Sequence, residues 1–117
     1  ITKKLIIMNY TENFEGIRID VQAVDISIIE DVQQQIRDMI MRLSRHISEV
    51  NWVDVYFKEE SKHATGNRNV SVRFGIPGTD AFATDSGINW AATLKSVEEK
   101  IRRQLRKNKV NAAQKNS

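Results

Sequence analysis

The feature that most constrains the fold is a change in hydrophobic period near the start of the sequence. Apolar residues stand at every second position over residues 17–23, as in a strand with one buried face. Over residues 28–47 they recur at intervals of three and four, which places them on one helical stripe about 100° wide. Ser27 and Glu30 have the spacing of a capping box and predict that this helix starts beside them. A strand and an amphipathic helix in succession must bury their apolar sides against each other.

The next segments return to the period of strands. Apolar residues alternate with polar ones over residues 52–58 and 69–76, and over a shorter stretch at residues 81–85. Pro77 and Gly78 favour a reversal between the last two stretches, because proline presets φ and glycine tolerates a positive φ. Three consecutive strands of this kind predict an antiparallel meander.

A second amphipathic helix closes the pattern. It is predicted to run from residue 88 or 89 to Lys107, with Asn89 or Ser86 as its cap. The order is therefore β-α-β-β-β-α, and the first strand should reach the second through a right-handed helical crossover. We predict an α+β fold, a two-layer sandwich in which two helices pack on one face of a four-stranded mixed sheet.

The length of the chain leaves room for one such domain. We assign residues 1–16 to an N-terminal extension, residues 17–107 to the folded α+β domain, and residues 108–117 to a disordered tail. The sequence contains no cysteine, so disulfides and thiolate chemistry are excluded and the reducing cytoplasm is the expected location. The longest apolar run, residues 5–8, is far below the ~20 residues that a membrane span needs.

The formal net charge of +3 conceals a strong asymmetry along the chain. Residues 1–94 carry ten Lys and Arg against thirteen Asp and Glu, whereas residues 95–117 carry eight against two. Seven of those eight lie within residues 95–109, more than the helix dipole accounts for, because that effect is confined to about the last turn. The asymmetry indicates an anionic partner, and nucleic acid rather than a membrane.

The basic residues of the second helix form two bands beside its apolar stripe. Arg42 and Arg45 of the first helix also lie away from the stripe that their helix buries. Guanidinium groups bind phosphate oxygens through paired hydrogen bonds and lysines add point charges, so such a surface can hold a nucleic-acid backbone with little reading of sequence. The candidate nucleic-acid-binding residues are Arg42, Arg45, Lys95, Lys100, Arg102, Arg103, Arg106, Lys107 and Lys109.

The closing helix also carries a family resemblance. Residues 97–107 read VEEKIRRQLRK and follow an Ala-Thr-Asp segment at residues 83–85 and an aromatic residue, Trp90. This stretch resembles the last helix of the ribosome hibernation promoting factors and ribosome-associated translation inhibitors, a sigma-54 modulation protein-like family. The resemblance extends over residues 17–107, and the string KIRRQLRK is its most specific part. The chain is similar to the short form of the family, since no dimerisation domain follows Lys107.

The resemblance implies a protein without catalytic activity and without a cofactor. It implies binding to ribosomal RNA of the small ribosomal subunit, where messenger and transfer RNA would sit, so that translation is silenced under stress or in stationary phase. By position, the family's RNA-contacting residues correspond to Lys100, Arg103 and Lys107. The other candidates are additions to these, and Lys95 and Lys109 rest on the helical projection alone. A monomer on the ribosome is expected, with no DNA or membrane partner, and whether it pairs ribosomes stays open.

Two other functions are compatible with the sequence. Trp52 and Tyr56, with Phe82, are expected on the sheet face away from the helices, where aromatic rings can stack on bases of single-stranded RNA. The same face could instead serve as a protein-interaction or dimerisation module, with the basic helix contributing only solubility. His46 and His63 lack the spacing of a metal site, and no nucleophile is paired with a base, so neither a metal nor an enzyme is expected.

Overall fold

The computed structural model describes the backbone of residues 5–7, 9–23, 27–47, 49–59 and 67–115, and the side chains within 9–23, 31–47, 49–59 and 67–107. Over these ranges the chain forms seven strands and two helices. The strands are β1 Leu5–Ile7, β2 Tyr10–Phe14, β3 Ile17–Ala23, β4 Ser27–Ile29, β5 Trp52–Glu59, β6 Arg68–Gly75 and β7 Ala81–Gly87. The helices are α1 Glu30–Ser44 and α2 Trp90–Lys115.

Five of the described strands form one mixed sheet in the order β2-β3-β5-β6-β7. β3 and β5 are parallel, with Val21 opposite Val55, and α1 lies in the connection between them. β5, β6 and β7 form the predicted antiparallel meander, in which Val55 stands opposite Val72 and Val72 opposite Ala83. The predicted α+β sandwich, with two helices on one face of a mixed sheet, is confirmed.

The core lies between the sheet and the two helices. Ile19, Val53 and Phe74 of the sheet are fully buried, and so are Ile36 of α1 and Ile101 of α2. Because alternate residues of a strand point to opposite faces, Ile19 and Val53 are flanked by polar or aromatic neighbours on the other side, and Phe74 by Arg73 and Gly75. Each large apolar side chain that leaves water contributes about 1.5–3 kcal/mol. This burial sets α1 and α2 side by side and so determines the surface that they share.

The sheet has a fifth strand, β2, which the predicted four-stranded sheet lacks. It pairs antiparallel with β3 through a two-residue turn in which Glu15 has a φ of 53° and Gly16 a φ of 80°, as such hairpins require. Its middle helix-facing residue is Glu12, whose Oε1 lies 2.6 Å from Nε of Arg37 on α1. Because a charged residue stands where an apolar one would be expected, residues 10–14 do not show the apolar alternation by which a strand is recognised. The sequence pattern therefore does not predict β2.

The capping-box prediction at Ser27 is wrong. Ser27 lies in β4, which pairs antiparallel with β1 and places Ser27 opposite Ile7. Because the chain is extended there, α1 begins only at Glu30 and ends at Ser44, inside the predicted range of 28–47. The partner strand is twenty residues away in sequence, so local spacing alone favoured the helix.

The start of α2 matches its predicted cap, whereas its end lies further along the chain. The backbone N–H of Ala92 donates to Oδ1 of Asn89 at 2.7 Å, which confirms Asn89 as the cap. The helix continues to Lys115, through most of the predicted tail. Residues 108–115 lack an apolar stripe but also lack glycine and proline, so their composition does not interrupt a helix. Residues 116–117 lie outside the described residues.

Candidate nucleic-acid interface

The two helices share a solvent-facing groove of about 420 Å³. It is lined by Gln35, Arg42, Lys95, Glu98, Glu99 and Arg102. Eight of the nine candidate basic residues have described side chains, and the side chain of Lys109 lies outside the described part. The eight divide into residues that present their charge to solvent and residues that acidic groups or the sheet hold in place.

Five candidate residues form what we call the exposed set. Arg103 has a side chain that is 73% exposed, and its Nε lies 4.0 Å from Glu99, too far for a strong hydrogen bond. The other four make no ion pair with any residue that the structure describes. The exposed set is Arg45, Lys95, Arg103, Arg106 and Lys107. Its charges are hydrated and available to a polyanion.

One buried carboxylate holds two further candidate arginines. Glu98 on α2 is only 6% exposed. Nε of Arg42 donates to Glu98 Oε2 at 2.8 Å, and Nη2 of Arg42 donates to Oε1 at 2.7 Å. Nη2 of Arg102 donates to Glu98 Oε2 at 3.1 Å, and its Nη1 donates to Glu99 at 3.2 Å. The hydrogen bonds to Glu98 hold the pKa of Arg42 above its usual value, and the cluster ties α1 to α2.

Lys100 points to the edge of the sheet. Its Nζ donates to the carbonyl oxygen of Thr84 at 3.1 Å and lies 3.5 Å from Oδ2 of Asp85. Asp85 also accepts the hydroxyl of Ser96 and the backbone N–H of Ser86. These hydrogen bonds, that of Ser96 first, hold the pKa of the Asp85 carboxyl below its usual value. The contacts join α2 to β7, so Lys100 supports the fold as well as contributing charge.

The three predicted aromatic residues lie on the sheet face away from the helices, where Tyr56 and Phe82 line a cavity of about 410 Å³. Tyr56 and Phe82 are 36% and 39% exposed. The guanidinium of Arg73 lies 4.6 Å from the centre of the Phe82 ring, so this ring is already partly covered. Trp52 packs over Gly75, its cross-strand neighbour on β6. Two of the three rings therefore have packing partners within the sheet.

Charges of both signs alternate across that open face. Asp54 stands opposite Asp20, and burial first, then the charge of Asp20, raises the pKa of Asp54. Arg18 Nε lies 3.2 Å from Asp20 Oδ2, and Arg73 Nη1 lies 3.8 Å from Asp80 Oδ2. Because opposite charges neighbour one another on this face, the excess of positive charge lies on α2 instead.

Sequence reasoning missed Glu98 as the carboxylate that holds Arg42 and Arg102. In the sequence it is one acid within a basic helix, at a spacing that also suits a solvated side chain. Its main partner, Arg42, is 56 residues away, and no local signal connects the two. Only the packing of α1 on α2 brings them together.

The remaining sequence candidates contribute no site. His46 is exposed in the turn after α1, and His63 lies outside the described residues. Among the residues whose positions the structure gives, no group of three or more His, Cys, Asp or Glu side chains could hold a metal ion. Neither of the two described helices combines the length and apolar character needed to cross a membrane.

Comparison with known proteins gives two matches. The family model described as "Sigma 54 modulation protein / S30EA ribosomal protein" matches residues 19–112. The chain is also similar to a ribosome hibernation promoting factor of Acinetobacter guillouiae, at 24% identity over 98 residues, which cover 79% of this chain and 87% of that protein. The family match starts in β3 and ends in α2, so it includes every candidate residue of the helix surface.

Proposed function

The chain belongs to the sigma 54 modulation protein / S30EA ribosomal protein family, and we propose that it silences translation by occupying the small ribosomal subunit. In this proposal the protein acts in the cytoplasm as a ribosome hibernation factor without catalytic activity. It binds ribosomal RNA as a monomer and excludes messenger and transfer RNA from their sites. The similarity to a ribosome hibernation promoting factor supports the ribosome as its partner.

The exposed set is the observation that carries the proposal. These five basic residues extend from the end of α1 along α2, and none is neutralised by a close ion pair within the described residues. Exposed cations on a rigid surface bind phosphates through charge and shape, with counterion release as the driving force. Occlusion requires no chemical step, so a basic surface on a compact domain is sufficient for it.

Sedimentation with purified small subunits at several salt concentrations tests the binding surface. We expect the logarithm of the association constant to fall linearly with the logarithm of salt, by roughly 0.7–0.9 for each phosphate contact. The triple variant Arg103→Glu, Arg106→Glu and Lys107→Glu should lose most of the binding. Salt-insensitive association, or unchanged association of this variant, would contradict the proposal.

A matched control separates the helix surface from net charge. The double variant Arg106→Glu and Lys107→Glu changes the charge as much as Arg18→Glu and Lys58→Glu, which lie on the opposite face of the sheet. The first should reduce affinity by at least about tenfold, since two phosphate contacts are lost, and the second should reduce it far less. Equal losses would show that only total charge matters.

Occlusion itself predicts competition with transfer RNA. Saturating protein should displace transfer RNA from the small subunit, and excess transfer RNA should release the protein. The Arg106→Glu and Lys107→Glu variant serves as the non-displacing control. Simultaneous binding of both ligands at full occupancy would contradict occlusion while leaving ribosome binding intact.

A further inference from the structure

The hydrogen-bond geometry of Arg42 and Arg102 assigns these two arginines different roles. A guanidinium group has a side-on pair of donors, Nε–H and one Nη2–H, and an end-on pair shared by Nη1 and Nη2. Each pair matches the two oxygens of a carboxylate or a phosphate. Whether an arginine can bind RNA therefore depends on which of its donor pairs is still unoccupied.

Arg42 uses its side-on pair and keeps its end-on pair. Both of its hydrogen bonds to Glu98 come from Nε and Nη2, at 2.8 and 2.7 Å. Its side chain is 45% exposed, whereas that of Glu98 is 7% exposed. The carboxylate is therefore covered, whereas the side chain of Arg42, which carries the unoccupied end-on donors, is open to solvent.

Arg102 has its end-on donors occupied. Nη1 donates to Glu99 and Nη2 donates to Glu98, while Nε is buried without a hydrogen-bond partner among the described residues. Its side chain is 32% exposed, less than that of Arg42. Arg102 therefore links the carboxylates of Glu98 and Glu99 and has no complete donor pair left for a phosphate.

We propose that Glu98 is a positioning residue that holds Arg42 ready to bind an RNA phosphate, and that Arg102 is structural. This inference rests on the proposed function, because it assigns a phosphate of the bound RNA to the end-on donors of Arg42. Fixing a long side chain before binding lowers the entropy lost on association. A buried negative charge in a surface that binds a polyanion therefore raises affinity through geometry although it opposes affinity through charge.

Glu98→Gln tests this opposition directly. The amide nitrogen of glutamine would face a donor of Arg42, so the side-on pair is broken while one negative charge is removed. Charge alone predicts tighter binding to small subunits, whereas positioning predicts binding about tenfold weaker, as loss of one charge-assisted contact implies. The matched control is Glu99→Gln, in which a half-exposed acid of the same helix is neutralised and binding should tighten.

The same substitution in an Arg42→Ala background distinguishes positioning from a general structural defect. Once Arg42 is absent, Glu98→Gln removes a negative charge and weakens only the contact with Arg102, which has no donor pair for a phosphate, so it should tighten binding. This reversal of sign is expected only if Glu98 acts through Arg42. Tighter binding in both backgrounds, or equal weakening in both, overturns the proposal.

A milder pair of variants covers the case in which Glu98→Gln fails to fold. Arg42→Lys keeps the charge but loses the donor pairs, and it should weaken binding several-fold. Arg45→Lys, at an exposed arginine without a described ion pair, should leave affinity within about twofold. Equal effects of the two substitutions overturn the proposal.

Each variant is also measured against a 16-base-pair RNA duplex, which separates this inference from the proposed function. If the protein binds the duplex with the predicted reversal but does not bind small subunits, the proposed function fails and the role of Glu98 stands. If it binds small subunits without the reversal, the role of Glu98 fails and the proposed function stands. If it binds neither, both fail.

Discussion

Gln104 of α2 pairs with the backbone of Phe82 as a neighbouring strand would. The N–H of Phe82 donates to Oε1 of Gln104 at 3.0 Å, and Nε2 of Gln104 donates to the carbonyl oxygen of Phe82. One turn earlier, Lys100 donates to the carbonyl of Thr84. The outer edge of β7 is thereby closed by side chains of α2, which protects it from pairing with another chain.

Gln104→Ala should lower the free energy of unfolding by about 1–2 kcal/mol, because the backbone N–H and carbonyl group of Phe82 both lose their hydrogen-bond partner. Urea denaturation followed by far-UV circular dichroism measures the change. Arg103→Ala is the control, since Arg103 is exposed beside it and holds no backbone group in the described structure. A stability loss no larger than that of the control would show that the edge does not depend on Gln104.

Gly75→Ala should destabilise the protein by about 1–3 kcal/mol through overpacking. A Cβ at residue 75 would overlap the indole ring of Trp52, which lies directly across from it on β5. The thermal midpoint and the tryptophan fluorescence maximum should both shift. In a Trp52→Ala background the same substitution should cost little, and a cost equal to that in the wild-type background would contradict the steric explanation.

Asp85 should make stability depend on acid pH. Its pKa is lowered in the folded protein, chiefly by the hydroxyl of Ser96, so its stabilising effect is complete above the unfolded pKa of about 3.9 and is lost as pH falls through the folded pKa. Asp85→Asn should therefore lower the urea midpoint at pH 7, and the difference should shrink toward pH 2. A difference that is constant over this range would contradict the assignment.

Asp54→Asn should act in the opposite direction. Burial and the neighbouring charge of Asp20 raise the pKa of Asp54, so its ionised form destabilises the folded protein above that pKa. The substitution should raise the urea midpoint at pH 7 and lose its effect at pH values below the unfolded pKa of about 3.9. A decrease in stability at pH 7 would show that Asp54 is stabilised by contacts that outweigh burial.

Lys100 and Lys107 should separate fold from binding, although both belong to the same basic motif. Lys107→Ala removes an exposed charge and should lower the salt slope of small-subunit binding by about one with little effect on stability. Lys100→Ala removes the contacts to Thr84 and Asp85 and should reduce stability while changing the salt slope less. Identical slopes for the two variants would contradict this division.

Elements whose signals are local could be predicted from the sequence. The alternation over residues 17–23 coincides with β3, and Asn89 caps α2 as predicted. The basic character of α2 also follows from composition, since neither periodicity nor charge depends on the rest of the chain. The family resemblance of the KIRRQLRK string agrees with the family match over residues 19–112.

Elements formed by distant partners could not be predicted in this way. Ser27 and Glu30 have the local spacing of a helix start, but pairing with β1 makes residues 27–29 a strand. In β2, Glu12 occupies a helix-facing position because Arg37 pairs with it across the layers. Neither partner is visible in a short sequence window.

The sequence by itself determined the order of β3, α1, β5, β6, β7 and α2, the apolar stripes that supply the core, and the amount of positive charge near the C-terminal end. Only the tertiary structure decided which of those charges can meet a phosphate. Arg103 and Arg102 are adjacent in one motif, yet the first is 73% exposed and the second is held by Glu98 and Glu99. The physical reason is that the availability of a charge depends on its nearest opposite charge, which is set when α1 packs against α2. The period of the apolar residues, by contrast, is a property of the local sequence alone.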